Sequence, residues 1–227
     1  MSKLKNLLSF ITNLIFPHTC ISCGAFTNHN YYTGLCVKCL NENKEFHIQQ
    51  HPVLQNILKR SSFDSFNARF VYEEQIAKTI LNFKFHDRPE YAKPLAMLMK
   101  PKALEIENYQ DCIIVPVPVH MKRLLTRKYN QASLLAKYLA LELNIDYSNK
   151  ALKRCKHTPH QTGQSSKIRK QQLANAFIAD ESQVKGKNII LIDDVFTTGS
   201  TVKLCAEELK KKGANKIHVL TIAYTQI

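Results

Sequence analysis

The segment Asn188-Ile-Ile-Leu-Ile-Asp193-Asp194-Val-Phe-Thr197-Thr198-Gly199-Ser200-Thr201 constrains this chain more than any other. The apolar residues at its start, too short a run for a helix, predict a buried strand over 188–192. Two carboxylates follow at its C-terminal end, where α/β sheets hold their ligands. A tight loop then opens a helix predicted over 201–212 and stopped by Gly213. Main-chain N–H groups at a helix start point at an anion, and the helix dipole favours negative charge there. Gly199 lets the backbone come close, and Thr197, Thr198, Ser200 and Thr201 add hydroxyl donors around it. Such a loop suits a phosphate. The carboxylates of Asp193 and Asp194 would repel phosphate but accept hydrogen bonds from sugar hydroxyls.

Two other nucleotide motifs share parts of this pattern and both fail. A P-loop needs Gly followed by Lys and then Ser or Thr; the nearest approach, Gly186-Lys187-Asn188, lacks the hydroxyl. A dinucleotide fingerprint needs two glycines one residue apart. The 6 glycines, at positions 24, 34, 163, 186, 199 and 213, never supply them. A plain helix cap after an edge strand would not require adjacent carboxylates.

The rest of the chain supplies partners for such a strand. Strands are predicted at residues 66–72, 112–117 and 217–223, and helices at 73–85, 93–104 and 130–143, from their two- and four-residue apolar spacing. Strands alternating with helices make an α/β fold, with a parallel sheet covered by helices on both faces. The polar stretch 150–172 has no sustained period and reads as a mobile excursion.

Charge is unevenly spread. The chain carries a net +14, and residues 112–170 hold 12 Lys/Arg against 2 Asp/Glu, a balance of +10. A basic block of this kind meets phosphate, whether in nucleic acid, a pyrophosphate ligand or acidic lipid, unless it is a solvated face.

Cysteines fall into two groups. Cys112, Cys155 and Cys205 are scattered, whereas Cys20-Ile-Ser-Cys23 and Cys36-Val-Lys-Cys39 have the paired spacing of a structural zinc site. Gly24 and Gly34 stand where the two knuckles need tight turns. A pair of redox dithiols is disfavoured, because neither Cys-x-x-Cys is expected to follow a core strand and open a helix. An odd count of 7 with such clustering fits a reducing compartment. Ahead of the cluster, Leu4, Leu7, Leu8, Ile11, Leu14 and Ile15 predict an amphipathic helix, too short to span a bilayer and interrupted by Ser9, Thr12 and Asn13. The expectation is a cytoplasmic protein without a transmembrane segment. Residues 1–50 would form the helix and zinc module, and 51–227 the α/β domain.

Residues 189–201 resemble the binding signature for phosphoribosyl pyrophosphate (PRPP) in type I phosphoribosyltransferases. Pro116-Val-Pro118 with Arg123, then Arg127-Lys-Tyr-Asn130-Gln131-Ala132, resembles a block of the ComF family of DNA-competence proteins. Arg154, Thr158-Pro-His-Gln161-Thr-Gly163, Arg169 and Ala176-Phe177 are similar to that family's basic loop, and Phe16-Pro17 ahead of the cysteines to its opening. The chain departs from the family at Lys128 (usually Gly), Gln164 (Leu) and Gln172 (Asn).

The resemblance implies a type I phosphoribosyltransferase-like parallel sheet flanked by helices, with the zinc module at its N-terminus. It implies that residues 197–201 take the 5′-phosphate of PRPP, that Asp193 and Asp194 hold the ribose, and that magnesium accompanies the pyrophosphate. Residues 117–123 would form the pyrophosphate loop and 156–169 a lid, with Arg123, Arg127, Arg154 and Arg169 as cations. Surplus charge at Lys122, Lys128, Lys153 and Lys156 suggests single-stranded DNA as a further ligand, with proteins of the DNA-uptake machinery as partners. Three readings stay open at this point: a transferase with an unidentified acceptor, a DNA-handling protein that keeps PRPP binding, and a PRPP sensor without turnover.

Overall fold

The computed structural model describes residues 19–27, 34–119, 124, 128–154 and 176–226. Four strands form its main sheet: β1 (Ser65–Val71), β2 (Cys112–Pro116), β5 (Asn188–Phe196) and β6 (Ile217–Tyr224). Their order is β1-β6-β5-β2 and every pairing is parallel. All eight residues of β6 are buried, as a central strand covered on both faces requires.

Each face has its own apolar layer. Ile190 and Ile192 of β5 pack on one side with α3 (Glu74–Phe85), α4 (Ala92–Leu104) and α5 (Gln131–Leu143). On the other side Ile189 and Leu191 meet Val202, Cys205 and Leu209 of α7 (Ser200–Lys211). Successive strand residues point to opposite faces, so one run of Ile and Leu serves both layers. A second, two-stranded antiparallel sheet joins β3 (Leu152–Arg154) to β4 (Phe177–Ala179), ahead of the short helix α6 (Glu181–Val184).

The cysteine segment is built into this architecture. Cys20, Leu35 and Cys39 lie in the same buried cluster as Ile76 and Phe83 of α3 and Leu95 and Met99 of α4. After the short helix α1 (Val37–Glu42) the chain runs beside β1, where the Phe46 N–H donates to the Arg69 carbonyl at 3.2 Å and the Val71 N–H to the Lys44 carbonyl at 2.8 Å. A further short helix, α2 (Pro52–Leu58), leads into β1.

The structure corrects two expectations. Strand β5 extends beyond residue 192 to Phe196, because β6 continues to pair with it, Asp193 opposite Thr221 and Phe196 opposite Tyr224. The acidic pair is therefore inside the strand. The stretch 150–172 does not begin as an irregular excursion: pairing of Lys153 with Ile178 and Arg154 with Phe177 makes a strand of its first residues. That partner lies more than twenty residues away, beyond any local period. The rest of that stretch and the N-terminal helix lie outside the described residues.

Candidate functional site

Strand β5, the loop 197–199 and helix α7 build the site. The Asp194 N–H donates to Asp193 Oδ1 at 2.9 Å. As neighbours in a strand the two side chains leave on opposite faces. Asp194, 8% exposed, faces α3, where Lys84 Nζ lies 2.7 Å from its Oδ1. Asp193 belongs to the α7 side. Burial above all, then the charge of Asp193, holds the Cys205 thiol well above its usual range, and Arg154 works against that rise.

Beyond the pair, the Phe196 carbonyl accepts from the Thr225 N–H at 2.9 Å, and the chain turns. Gly199 has φ +71°, and a Cβ there would stand 2.4 Å from the Phe196 ring. Glycine is thus needed both for the left-handed backbone and for the ring beneath the loop. Thr198 and Ser200 hydroxyls are 2.9 Å apart, and the side chains of Thr197, Thr198, Ser200 and Thr201 are exposed. The N-cap residue Gly199 brings no side chain to the start of α7, where the Thr198 hydroxyl accepts from the Ser200 N–H at 3.4 Å. A twelve-residue helix therefore opens with its positive dipole end and the exposed hydroxyls of Thr198 and Ser200 a few residues after the acidic pair.

The basic residues fare differently. Lys128 ion-pairs with Asp87, both exposed, and has φ +63°. This left-handed conformation accounts for the usual glycine of the resembled motif at this position. Lys153 is exposed on β3, whereas Arg154 is half-buried with its guanidinium 5.3 Å from the centre of the Phe177 ring. Lys122, Arg123, Arg127, Lys156 and Arg169 lie outside the described residues. Asn130 links the start of α5 to the end of β2, its Nδ2 donating to the Val117 carbonyl at 3.2 Å.

In the cysteine cluster all four sulfurs lie within 4.8 Å of one another, and Cys23 Sγ and Cys36 Sγ are 3.8 Å apart. Sulfurs about 2.3 Å from a tetrahedral ion stand roughly 3.8 Å from each other, so the residues fit a closed four-thiolate site. Burial tends to raise the Cys20 thiol, but N–H donors of Cys23, Cys36 and Ser22 outweigh it and bring the pKa down to about 7. Burial and sulfur contacts push the Cys39 thiol strongly up. Cys36-x-x-Cys39 opens a helix, α1, with Cys36 Sγ accepting from the Cys39 N–H at its cap, but no core strand leads into it among the described residues. The convergence of both pairs on one point is what separates it from an isolated dithiol.

Lys84 was not among the residues singled out from the sequence. A signal existed: Ile76, Thr79, Ile80 and Phe83 mark the buried stripe of α3, and Lys84 follows Ile80 by four positions. A cation on an apolar stripe needs a partner.

Residues 130–226 match the family described as Phosphoribosyl transferase domain. Competence protein F of Haemophilus influenzae is 33% identical over 224 residues, covering 92% of this chain and 97% of that protein. The chain belongs to the ComF family. Its similarity extends to the DNA utilization protein YhgH of Escherichia coli K12, 29% identical over 210 residues and covering 91% of this chain and 84% of that one. Competence protein ComFC of Bacillus subtilis is 29% identical over 150 residues, 63% of this chain and 57% of that protein. Among solved structures, the glutamine PRPP amidotransferase of B. subtilis aligns with a TM-score of 0.45 at 18% identity, over 63% of this chain and 30% of that enzyme. The chain thus spans about a third of that enzyme's length. The ComF chain has the type I phosphoribosyltransferase fold with a four-cysteine cluster at its N-terminal side. Among the described residues no helix is long and apolar enough to cross a membrane.

Proposed function

We propose that this ComF-family protein binds PRPP with magnesium in the Asp193–Thr201 site and handles single-stranded DNA in the cytoplasm during DNA uptake. Zinc on Cys20, Cys23, Cys36 and Cys39 would hold the N-terminal module together. The observation that carries the reading is the glycine-pinned loop, which opens a helix whose N-cap residue has no side chain, a short way along the chain from two carboxylates.

In this reading the 5′-phosphate accepts from main-chain N–H groups and hydroxyls of residues 197–201. Asp193 and Asp194 accept from the ribose hydroxyls. Magnesium supplies charge neutralisation on the pyrophosphate oxygens, with Arg123, Arg127, Arg154 and Arg169 as further cations. Departure of pyrophosphate builds positive charge at the anomeric carbon, which nearby carboxylates stabilise. Lys122, Lys128, Lys153 and Lys156 would carry the DNA phosphates. The names of the relatives, competence and DNA utilization, support this half of the reading.

The test is a titration of single-stranded DNA at several salt concentrations, with Lys128, Lys153 and Lys156 changed to Gln in the comparison protein. About four to six phosphate contacts give a log–log slope of roughly −3 to −4. A salt-independent affinity, or no loss in the variant, leaves the basic stretch to pyrophosphate alone. Pyrophosphate release that depends on an added acceptor marks a transferase; its absence with retained PRPP binding marks a sensor.

A further inference from the structure

We infer that Lys84 is a positioning residue of the PRPP site, holding Asp194 in the orientation that receives the ribose. This inference rests on the PRPP reading above. The Lys84 ammonium lies 2.7 Å from Asp194 Oδ1, with side-chain exposures of 18% and 11%. At that burial the two charges lose much of their hydration, so the pair is a weak means of stabilising the fold. It does restrict the carboxylate, because one of its oxygens is held against the ammonium.

A simpler role for Lys84 would be to complement the C-terminal dipole of α3, whose last turn it occupies. Two observations argue for more. The cation is directed across the face of the sheet to an acid of β5. The turn that carries it is also fixed from outside the helix: the Tyr129 hydroxyl donates to the Phe83 carbonyl, and Lys128 pairs with Asp87. Asp87 and Lys128 both have left-handed backbones, φ 52° and 63°. Each such residue costs roughly 1–2 kcal/mol. Strain of that kind persists only where surrounding contacts hold it. The same 128–130 turn grips the end of β2 through Asn130 and Val117. Helix α3, the start of α5 and the mouth of the sheet therefore meet around Lys84, and the ammonium is held in place before any ligand arrives.

The experiment is a calorimetric double-mutant cycle with PRPP and magnesium, using wild type, Lys84→Met, Asp194→Asn and the double variant, with Lys84→Arg as the conservative control. Lys84→Met should weaken PRPP at least tenfold, Lys84→Arg should recover most of that loss, and Lys84→Met should add little once Asp194 is Asn. Circular dichroism and melting curves establish that each variant is folded. If Lys84→Met does not fold, Lys84→Arg decides: near-parental affinity in a folded protein supports the inference, and a loss as large as that of Asp194→Asn overturns it. Additive losses in the cycle, or undiminished affinity in Lys84→Met, overturn the role of Lys84 and leave the PRPP reading standing. A wild-type protein that does not bind PRPP removes both.

Discussion

Helix α3 touches both candidate sites, and it touches them at opposite ends. In its first turn Gln75 accepts from the Ser22 hydroxyl, between Cys20 and Cys23, at 2.7 Å and donates to Glu42 of α1 at 2.8 Å. In its last turn Lys84 meets Asp194. The nine-residue step from one to the other spans about 13 Å of helix. The two sites are nevertheless made differently. The cysteine cluster is four like groups in one small space, with the Cys20 and Cys39 thiols driven in opposite directions. Main-chain N–H groups reach two of its sulfurs, Cys20 Sγ and Cys36 Sγ, each at 3.4 Å, and a cation shared by all four would complete it. The loop after Asp194 is closed by protein alone, through the Phe196 ring under Gly199 and the Thr225 N–H on the Phe196 carbonyl. A site of the first kind would draw its stability from a bound cation, whereas a site of the second kind is closed without a ligand and would gain stability from one by mass action.

The largest expected effect breaks the first site. Removing zinc by chelation, or changing buried Cys39 to Ser, should cost more than about 4 kcal/mol, since loss of a structural metal is among the severe mechanisms. The damage should spread into α3 and α4, because Cys20 and Cys39 share their core. Hydrogen exchange of α3 amides measures this, and unchanged protection after metal removal would separate the cluster from the domain.

Gly199→Ala attacks the second site through the fold. The left-handed φ and the 2.4 Å approach to Phe196 should together cost about 1–3 kcal/mol in chemical denaturation, with PRPP affinity falling as the loop shifts. A neutral substitution would mean that the ring and loop are less closely packed than described.

Lys128→Gly sharpens the contrast from the side of strain. It relieves φ +63° at the cost of one exposed ion pair, worth about 0–1 kcal/mol. A net gain of up to about 1 kcal/mol in stability is expected. Stability should rise while the anchoring of α3 to the 128–130 turn weakens.

A smaller effect belongs to pH. Burial, the main cause, holds the His218 pKa below its ordinary value, with Lys216 and Lys210 adding to the effect and Asp64 and Glu107 opposing it. The unfolded chain therefore takes up the proton first. Stability from this group is complete above about pH 6.5 and declines as pH falls below it. His218→Gln, which can keep a hydrogen bond to Ser65, should flatten that part of the stability profile.

The elements that could be read from the sequence are those whose determinants are local. Asn130 through Leu143 showed its helical stripe, and the helix is α5 with Asn130 at its cap. The cysteine spacing pointed to a cluster that the structure brings together. What could not be read depends on distant partners. Val195 and Phe196 become strand because Ala223 and Tyr224 lie beside them, and Leu152–Arg154 because Phe177–Ala179 does. Lys84 was visible only as a cation on an apolar stripe, and its partner stands on a strand more than a hundred residues later. The glycine of the resembled motif at position 128 had a conformational reason that only the backbone angle revealed.

The central claim, that residues 193–201 bind PRPP, is tested most directly by a melting curve with PRPP and magnesium at about a hundred times the dissociation constant. Mass action then contributes about 2.7 kcal/mol, a rise of roughly 5–10 °C for a protein of this size. The account predicts that rise for the wild type and its loss in the folded Asp193→Asn/Asp194→Asn double variant. An equal rise in the double variant would contradict it.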